Sequence, residues 1–346
     1  MDFATYQTQF TQQATSVGYT QQNIQKCLDY AAMLFEKKLP VVYNTAHFAA
    51  LVGYNKDYIK RAVTFTPKFY RDFDILKKNG GQRKISEPLP SLKDIQLWML
   101  ENILNKVKVS PYAKAYVHGI SLKQNLVFHK GEPKVFKIDV ENFFGSIDQV
   151  AVETMFSEMG YSKILANLFS KLCTKDHCLP QGAPTSPYLS NIYFKIADEN
   201  IASFCRKRGI KYTRYADDLT FSGDFDEEEL KTTVCLLLEG LKLKINSSKT
   251  KLMKQGQQQK VTGVVVNEKL QVSFKQRNQL RSTMYYIRKF GLEDHKKRLN
   301  ITKANYLDHL LGKVNFVLYL NAEDKEFLEY KKYLNALKGG THLKIS

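Results

Sequence analysis

Three aspartates stand where apolar, strand-forming stretches end, and their chemistry suits phosphoryl transfer. Asp139 closes Lys134-Val135-Phe136-Lys137-Ile138-Asp139-Val140, which continues into Asn142-Phe143-Phe144. Asp217 and Asp218 interrupt Lys211-Tyr212-Thr213-Arg214-Tyr215-Ala216-Asp217-Asp218-Leu219-Thr220-Phe221. β-forming residues flank that pair on both sides, the pattern of a hairpin with acids at its tip. Adjacent like charges repel, and they persist most easily where a cation neutralises them. Asp139 brought beside Asp217 would make a hard-oxygen site suited to Mg²⁺. Two such ions about 4 Å apart can activate one oxygen and stabilise the leaving one. The plainer alternative is that Asp-Asp forms only a polar turn.

The elements that would position these acids can be read from periodicity. Residues 1–40 place Phe3, Phe10, Val17, Ile24, Leu28, Ala32 and Phe35 at roughly helical spacing, which predicts one or two amphipathic helices. Asn44 caps an apolar helix that stops at Gly53, and Asn55 caps a second over Lys56–Ala62. This resembles a DNA-reading helix-turn-helix, but two short helices joined by a Gly turn are the commoner reading. From Tyr70 the period becomes two, and Lys78-Asn79-Gly80-Gly81 predicts a hairpin turn returning through Gln82-Arg83-Lys84-Ile85-Ser86. Pro88 and Pro90 stop that strand. A helix from Ser91 follows, with Leu92, Ile95, Trp98, Met99, Ile103 and Leu104 as its buried stripe.

Charge points to the partner. The 346 residues carry 52 Lys and Arg against 34 Asp and Glu, a formal net charge of +18. Between Lys242 and Lys313, 17 basic residues face four acidic ones, a surplus of 13 in 72 residues. Tyr285, Tyr286, Phe274 and Phe290 lie among those charges, so a polyanion could be held by charge and stacking together. Nucleic acid is favoured over a merely solvated basic face. An anionic membrane is the weaker competitor, because no amphipathic anchor accompanies the charge. With 43% hydrophobic and 25% charged residues, the chain has a globular composition. No apolar run approaches the roughly 18 residues of a spanning helix. The N-terminus lacks an export signal and five cysteines make no disulfide framework, so a cytoplasmic location is expected. Cys173, His177 and Cys178 have zinc-ligand types but no second cluster to complete four ligands.

The order of motifs resembles the reverse transcriptase family. Tyr215-Ala216-Asp217-Asp218 is similar to its catalytic box, and Asp139 with Phe144 to its first carboxylate and following aromatic. Between them, Leu179-Pro180-Gln181-Gly182-Ala183-Pro184-Thr185-Ser186-Pro187 is similar to the loop that contacts template and nucleotide. The Arg83 hairpin precedes these boxes, and Gly240-Leu241-Lys242-Leu243-Lys244-Ile245-Asn246 with Lys249 and Thr250 follows them. Val261-Thr262-Gly263 looks like the element retron reverse transcriptases carry after the palm. Asn125-Leu126-Val127-Phe128-His129 is similar to their Asn-Ala-x-x-His signature, with Leu126 in place of Ala.

The resemblance implies an α+β, right-hand polymerase fold with fingers, an antiparallel-sheet palm and a helical thumb. Residues 1–66 would form an N-terminal helical region, 67–260 the fingers and palm, and 261–346 the end of the palm and a basic thumb. It implies two Mg²⁺ ions held by Asp139, Asp217 and Asp218 with the Val140 carbonyl. Nucleotide would be contacted by Lys77, Arg83, Phe144 as steric gate, Gln181, Gly182 and Lys249. RNA would be contacted by Asn125, His129, Val261, Thr262, Gly263, Arg277, Arg281 and Arg288. Implied partners are dNTPs, a structured noncoding RNA that is template and primer through a 2′-hydroxyl, its RNA–DNA product, and a separate effector in defence against phage. Two alternatives stand beside this: a reverse transcriptase of group II intron type, and an RNA-binding scaffold without chemistry. Three intact acids argue against the scaffold.

Overall fold

A computed structural model describes residues 2–77 and 80–339 and shows a mixture of helices and short strands. The N-terminal part contains α1 (Phe3–Ser16), α2 (Gln21–Glu36), α3 (Thr45–Leu51), α4 (Lys56–Thr64), β1 (Tyr70–Leu76), β2 (Gln82–Pro88) and α5 (Pro90–Asn102). The middle contains α6 (Leu122–Val127), β3 (Lys134–Asp139), α7 (Gln149–Glu158), α8 (Lys163–Cys173), α9 (Ser186–Tyr193), α10 (Lys195–Lys207), β4 (Lys211–Tyr215), β5 (Asp218–Gly223) and α11 (Glu227–Glu239). The last part contains β6 (Lys251–Lys254), β7 (Lys260–Val261), β8 (Val264–Val265), α12 (Phe274–Phe290), α13 (Leu292–Arg298), α14 (Tyr306–Leu320) and α15 (Lys325–Lys338). No helix among the described residues is long and apolar enough to cross a membrane.

These elements gather into two compact units, each built from three separate stretches of chain. The first unit comprises Met1–His118, Val140–Ser203 and Thr232–Asn246. Its core joins Phe48 and Ile59 of α3 and α4 to Ile95 and Met99 of α5 and to Phe156 and Phe169 of α7 and α8. Phe169 is its hub, with the rings of Phe48, Phe156 and Tyr161 at 4.9, 5.3 and 5.1 Å in edge-on geometry. The α3–α4 pair therefore buries its apolar faces in this core, as expected of two helices joined by a turn. Asn44 and Asn55 cap them as their residue types predict, and Gly53 supplies the positive φ of 76° that ends α3.

Three local expectations need correction. Val17, one of the apolar residues placed at helical spacing, is the C-cap of α1 and is 71% exposed. Ile103 and Leu104 are buried just beyond the end of α5 instead of on it. Strand β2 runs on through Pro88, since a two-stranded sheet has only edge strands and tolerates a missing N–H. Lys78 and Asn79 of the expected turn lie outside the described residues. The β1–β2 pairing around it is antiparallel, from Tyr70 opposite Pro88 to Leu76 opposite Gln82.

The second unit comprises Gly119–Asp139, Phe204–Lys231 and Ser247–Ser346. Its four-stranded antiparallel sheet has the order β4-β5-β3-β6. The central strands are apolar and buried, with Phe136 of β3 facing Phe221 of β5 across the sheet. Val135 and Met253 connect the sheet to a core that includes Leu280, Met284 and Ile287 of α12, Val314 and Val317 of α14, and Phe327 of α15. Val261 pairs with Val264 around Thr262 and Gly263, both with positive φ, 45° and 84°. That is the backbone demand of a tight hairpin turn, easy for glycine and strained for a β-branched threonine.

Candidate active site

The strand pattern brings the three aspartates together within the second unit. Asp139 is the last residue of β3 and pairs in register with Asp218, the first of β5. Tyr215 pairs with Asp218 across β4 and β5, which leaves Ala216 and Asp217 as the two-residue turn between them. Ala216 takes a positive φ of 58°, a conformation that favours glycine there. The fully buried Arg214 donates to the Ala216 carbonyl at 3.1 Å and so braces the turn from inside. Sequence reasoning passed over Arg214; its signal was a charge two residues before the acidic turn, in a strand whose other inner positions are apolar or small.

Charge around the acids is incompletely balanced. Lys249 Nζ lies 2.8 and 2.9 Å from the two oxygens of Asp139, which is 8% exposed. Lys137 Nζ lies 3.0 Å from Asp218. Burial pushes the Asp217 carboxyl above its ordinary value, and the negative charges of Asp139 and Asp218 push it further the same way. Two lysines thus face three carboxylates. Among the described residues no group of three or more His, Cys, Asp or Glu forms a ready-made metal cage. The donor set nonetheless suits a divalent ion: its oxygens are hard, Asp217 has no ion-pair partner among the described residues, and an ammonium already occupies the Asp139 carboxylate as a cation would.

Other candidates fall in the first unit. Phe143 is buried and packs on Phe194 at 6.0 Å, whereas Phe144 is half-buried and packs against the core of the first unit. Val140 is buried and pairs with Ile245. Lys77 and Arg83 are exposed on the β1–β2 hairpin. The Gln181 carbonyl accepts from the Ser86 N–H of β2 at 2.8 Å. Gly182, at φ 129°, runs so close that an added Cβ would lie 2.7 Å from the Ser86 carbonyl, which explains why glycine stands there.

The residues assigned to RNA divide sharply. Asn125 and His129 are fully buried, so their side chains face the protein interior and not a surface that RNA could touch. Thr213 donates to Asn125 Oδ1 at 2.7 Å, and His129 Nε2 lies 2.7 Å from the same hydroxyl. With that hydroxyl proton spent on Asn125, Nε2 must carry the ring proton and Nδ1 accepts from Ser222 at 2.8 Å. Burial holds the imidazole down to about 3, so it is neutral. Val261 is also buried, Gly263 is exposed, and the Thr262 hydroxyl is buried without a partner among the described residues. Arg277 is engaged by Asp324 and Glu326, and Arg281 by Glu326. Arg288 lies over the rings of Tyr330 and Tyr333 at 4.9 and 5.3 Å. Sequence spacing on α12 did not reveal that its arginines turn toward α15.

An acidic hairpin tip paired with the end of a central antiparallel strand is the signature that a family comparison makes specific. Residues 75–266 match the family model described as reverse transcriptase (RNA-dependent DNA polymerase). The chain belongs to that family and is an RNA-directed DNA polymerase of right-hand, α+β fold. Within it, the chain is a retron reverse transcriptase. The retron Ec86 reverse transcriptase of Escherichia coli is 31% identical over 269 residues, spanning 76% of this chain and 80% of that one. The retron Mx65 reverse transcriptase of Myxococcus xanthus is 30% identical over 335 residues, 90% of this chain and 76% of that one. Among solved structures, a Candida albicans telomerase in complex with a telomeric RNA fragment aligns over 82% of this chain and 62% of that chain, at TM-score 0.43 and 10% identity.

Proposed function

We propose that this reverse transcriptase copies a structured noncoding RNA into single-stranded DNA that stays joined to the RNA, primed from a 2′-hydroxyl, in defence against phage with a separate effector. The observation that carries the chemistry is the pairing of Asp139 with Asp218, with Asp217 on the turn beside them. Asp139, Asp217 and Asp218, with the Val140 carbonyl, would hold two Mg²⁺ ions. When bound, such ions favour deprotonation of the attacking hydroxyl and neutralise charge on the departing pyrophosphate. Residues 67–260 would serve as fingers and palm, and 261–346 as the end of the palm and the thumb.

The chain's own groups do the rest. Lys77 and Arg83 would hold the triphosphate, Arg with a planar fork matched to phosphate oxygens. Gln181 and Gly182 would lie against nucleotide and template, where glycine permits close backbone approach. Phe144, half-buried, would exclude a 2′-hydroxyl by clash. Lys249 is a proton source for the leaving group, held at the acids by its contacts with Asp139. Support for an RNA contact at the β7–β8 turn comes from Gly263, which is exposed there beside Thr262, both at positive φ.

The test is expression of the chain with its native flanking DNA, followed by recovery and sequencing of bound nucleic acid. DNA covalently joined to an RNA of defined sequence is expected. DNA made freely from many RNAs, with no RNA–DNA joint, would remove the retron chemistry while leaving polymerase activity in place.

A further inference from the structure

The loop that follows α8 carries a lysine that neither the motifs nor the acids account for. Lys175 is only 7% exposed, and its Nζ reaches out of the loop to the β1–β2 hairpin. There it pairs with Asp72 of β1, donates to Ser86 Oγ of β2 at 3.2 Å, and lies 5.7 Å from the centre of the Tyr70 ring. Ser86 Oγ in turn donates to Asp72 at 2.7 Å. Lys175 and Ser86 together hold the Asp72 carboxyl well below the usual carboxylate range.

The loop itself is rigid. Lys175 and Cys178 exchange backbone hydrogen bonds around Asp176 and His177, both at positive φ, and Leu179 N–H donates to the Ile147 carbonyl at 3.0 Å. Six residues after Lys175, the same loop presents Gln181 to the Ser86 N–H and Gly182 to the Ser86 carbonyl. One buried ammonium therefore ties both strands of the hairpin to the segment carrying Gln181 and Gly182. Burying a charge is costly unless it is paired and hydrogen-bonded, and here the ammonium has a carboxylate, a hydroxyl and a ring face beside it. A plain structural link would be met more cheaply by apolar packing.

We propose that Lys175 is a positioning residue for the incoming nucleotide: through Asp72 and Ser86 it fixes the hairpin bearing Arg83 against the Gln181–Gly182 loop, and so sets nucleotide affinity. The proposal rests on the nucleotide-binding reading of Arg83, Gln181 and Gly182. Removing the ammonium lets the hairpin drift from the loop, which weakens nucleotide binding before it touches the acids.

Steady-state extension of oligo(dT) on poly(rA), with dTTP varied, tests this on the full chain. Lys175→Met should raise KM for dTTP at least ~10-fold with kcat within about threefold, since small misplacements far from the chemistry have effects of that order. Adding Asp72→Asn to Lys175→Met should change KM by less than about twofold more, because both act through one link. A dTTP KM unchanged in Lys175→Met overturns the proposal, and so does activity that falls only in proportion to folded protein. Should Lys175→Met fail to fold, Asp72→Asn carries the test, and an unchanged KM there overturns it equally. Arg83→Ala separates the two levels. If it leaves KM alone, the nucleotide reading of the hairpin fails; if it raises KM while Lys175→Met does not, only the role of Lys175 fails.

Discussion

Carboxylates in two regions of the second unit shift in opposite directions. At the hairpin tip, burial and the neighbouring Asp139 and Asp218 raise the Asp217 carboxyl above its ordinary value. Between α12 and α15, Arg281, Tyr330 and Arg277 hold Glu326 down at about 2. Arg277 donates to Asp324 at 3.0 Å and to Glu326 at 2.8 Å, and Arg281 closes on Glu326 at 2.7 Å. In that cluster two arginines answer two acids. At the tip Lys249 pairs with Asp139 and Lys137 with Asp218, while Asp217 has no ion-pair partner among the described residues. Balanced charge of this kind holds helices together, whereas charge left unbalanced near a buried sheet is kept for chemistry.

The sharpest way to break this contrast is Asp217→Asn, which keeps shape and removes charge. DNA synthesis should fall by about 10³-fold or more, since it depends on charge at the reacting centre. The melting temperature should not fall, because relief of like-charge repulsion offsets the lost polarity. Primer extension and a thermal melt read both; full activity would take Asp217 out of the site.

Arg277→Ala should do the reverse. It leaves Asp324 buried without its main partner, at a cost of about 3 kcal/mol of stability, while kcat at saturating template changes little. Denaturant unfolding measures this. A stable variant with impaired catalysis would mean that the α12–α15 cluster belongs to function after all.

The pH dependence sharpens the same point. Glu326 has its folded value depressed from 4.5 to about 2, so its stabilisation is present above 4.5 and is lost as pH falls toward 2. Wild type should therefore exceed Glu326→Gln by about 1–2 kcal/mol at neutral pH, after discount for partial exposure, with the gap closing below about pH 4. Thermal melts of both proteins over that range would show it. A gap constant with pH would assign the effect to packing.

The smallest effect concerns RNA. Lys275 and Lys289 of α12 are exposed, whereas Arg277 and Arg281 are committed to α15. Changing the two lysines to Gln should lower the salt slope of RNA binding by roughly 1.5, and changing the two arginines by under about 0.5. Equal losses would restore the arginines to the phosphate contacts that their sequence spacing suggested.

His129 shows most clearly where sequence reading stops. Its motif position made it a candidate for RNA, yet its two ring nitrogens are consumed by Thr213 and Ser222, 84 and 93 positions away. The same holds for Lys249 on Asp139, 110 positions apart, and for Lys175 on Asp72, 103 apart. What the sequence by itself determined was local: the β1–β2 period, the caps at Asn44 and Asn55, the strands that end in Asp139 and begin at Asp218, and the order of the boxes. Alternation, capping and turn propensity act over a few residues, so they can be read along the chain. Which lysine meets which acid, which histidine is buried, and which face of α12 its arginines take were decided only when the sheet and helices packed. Register across strands and the pairing of long side chains depend on partners that no local pattern names.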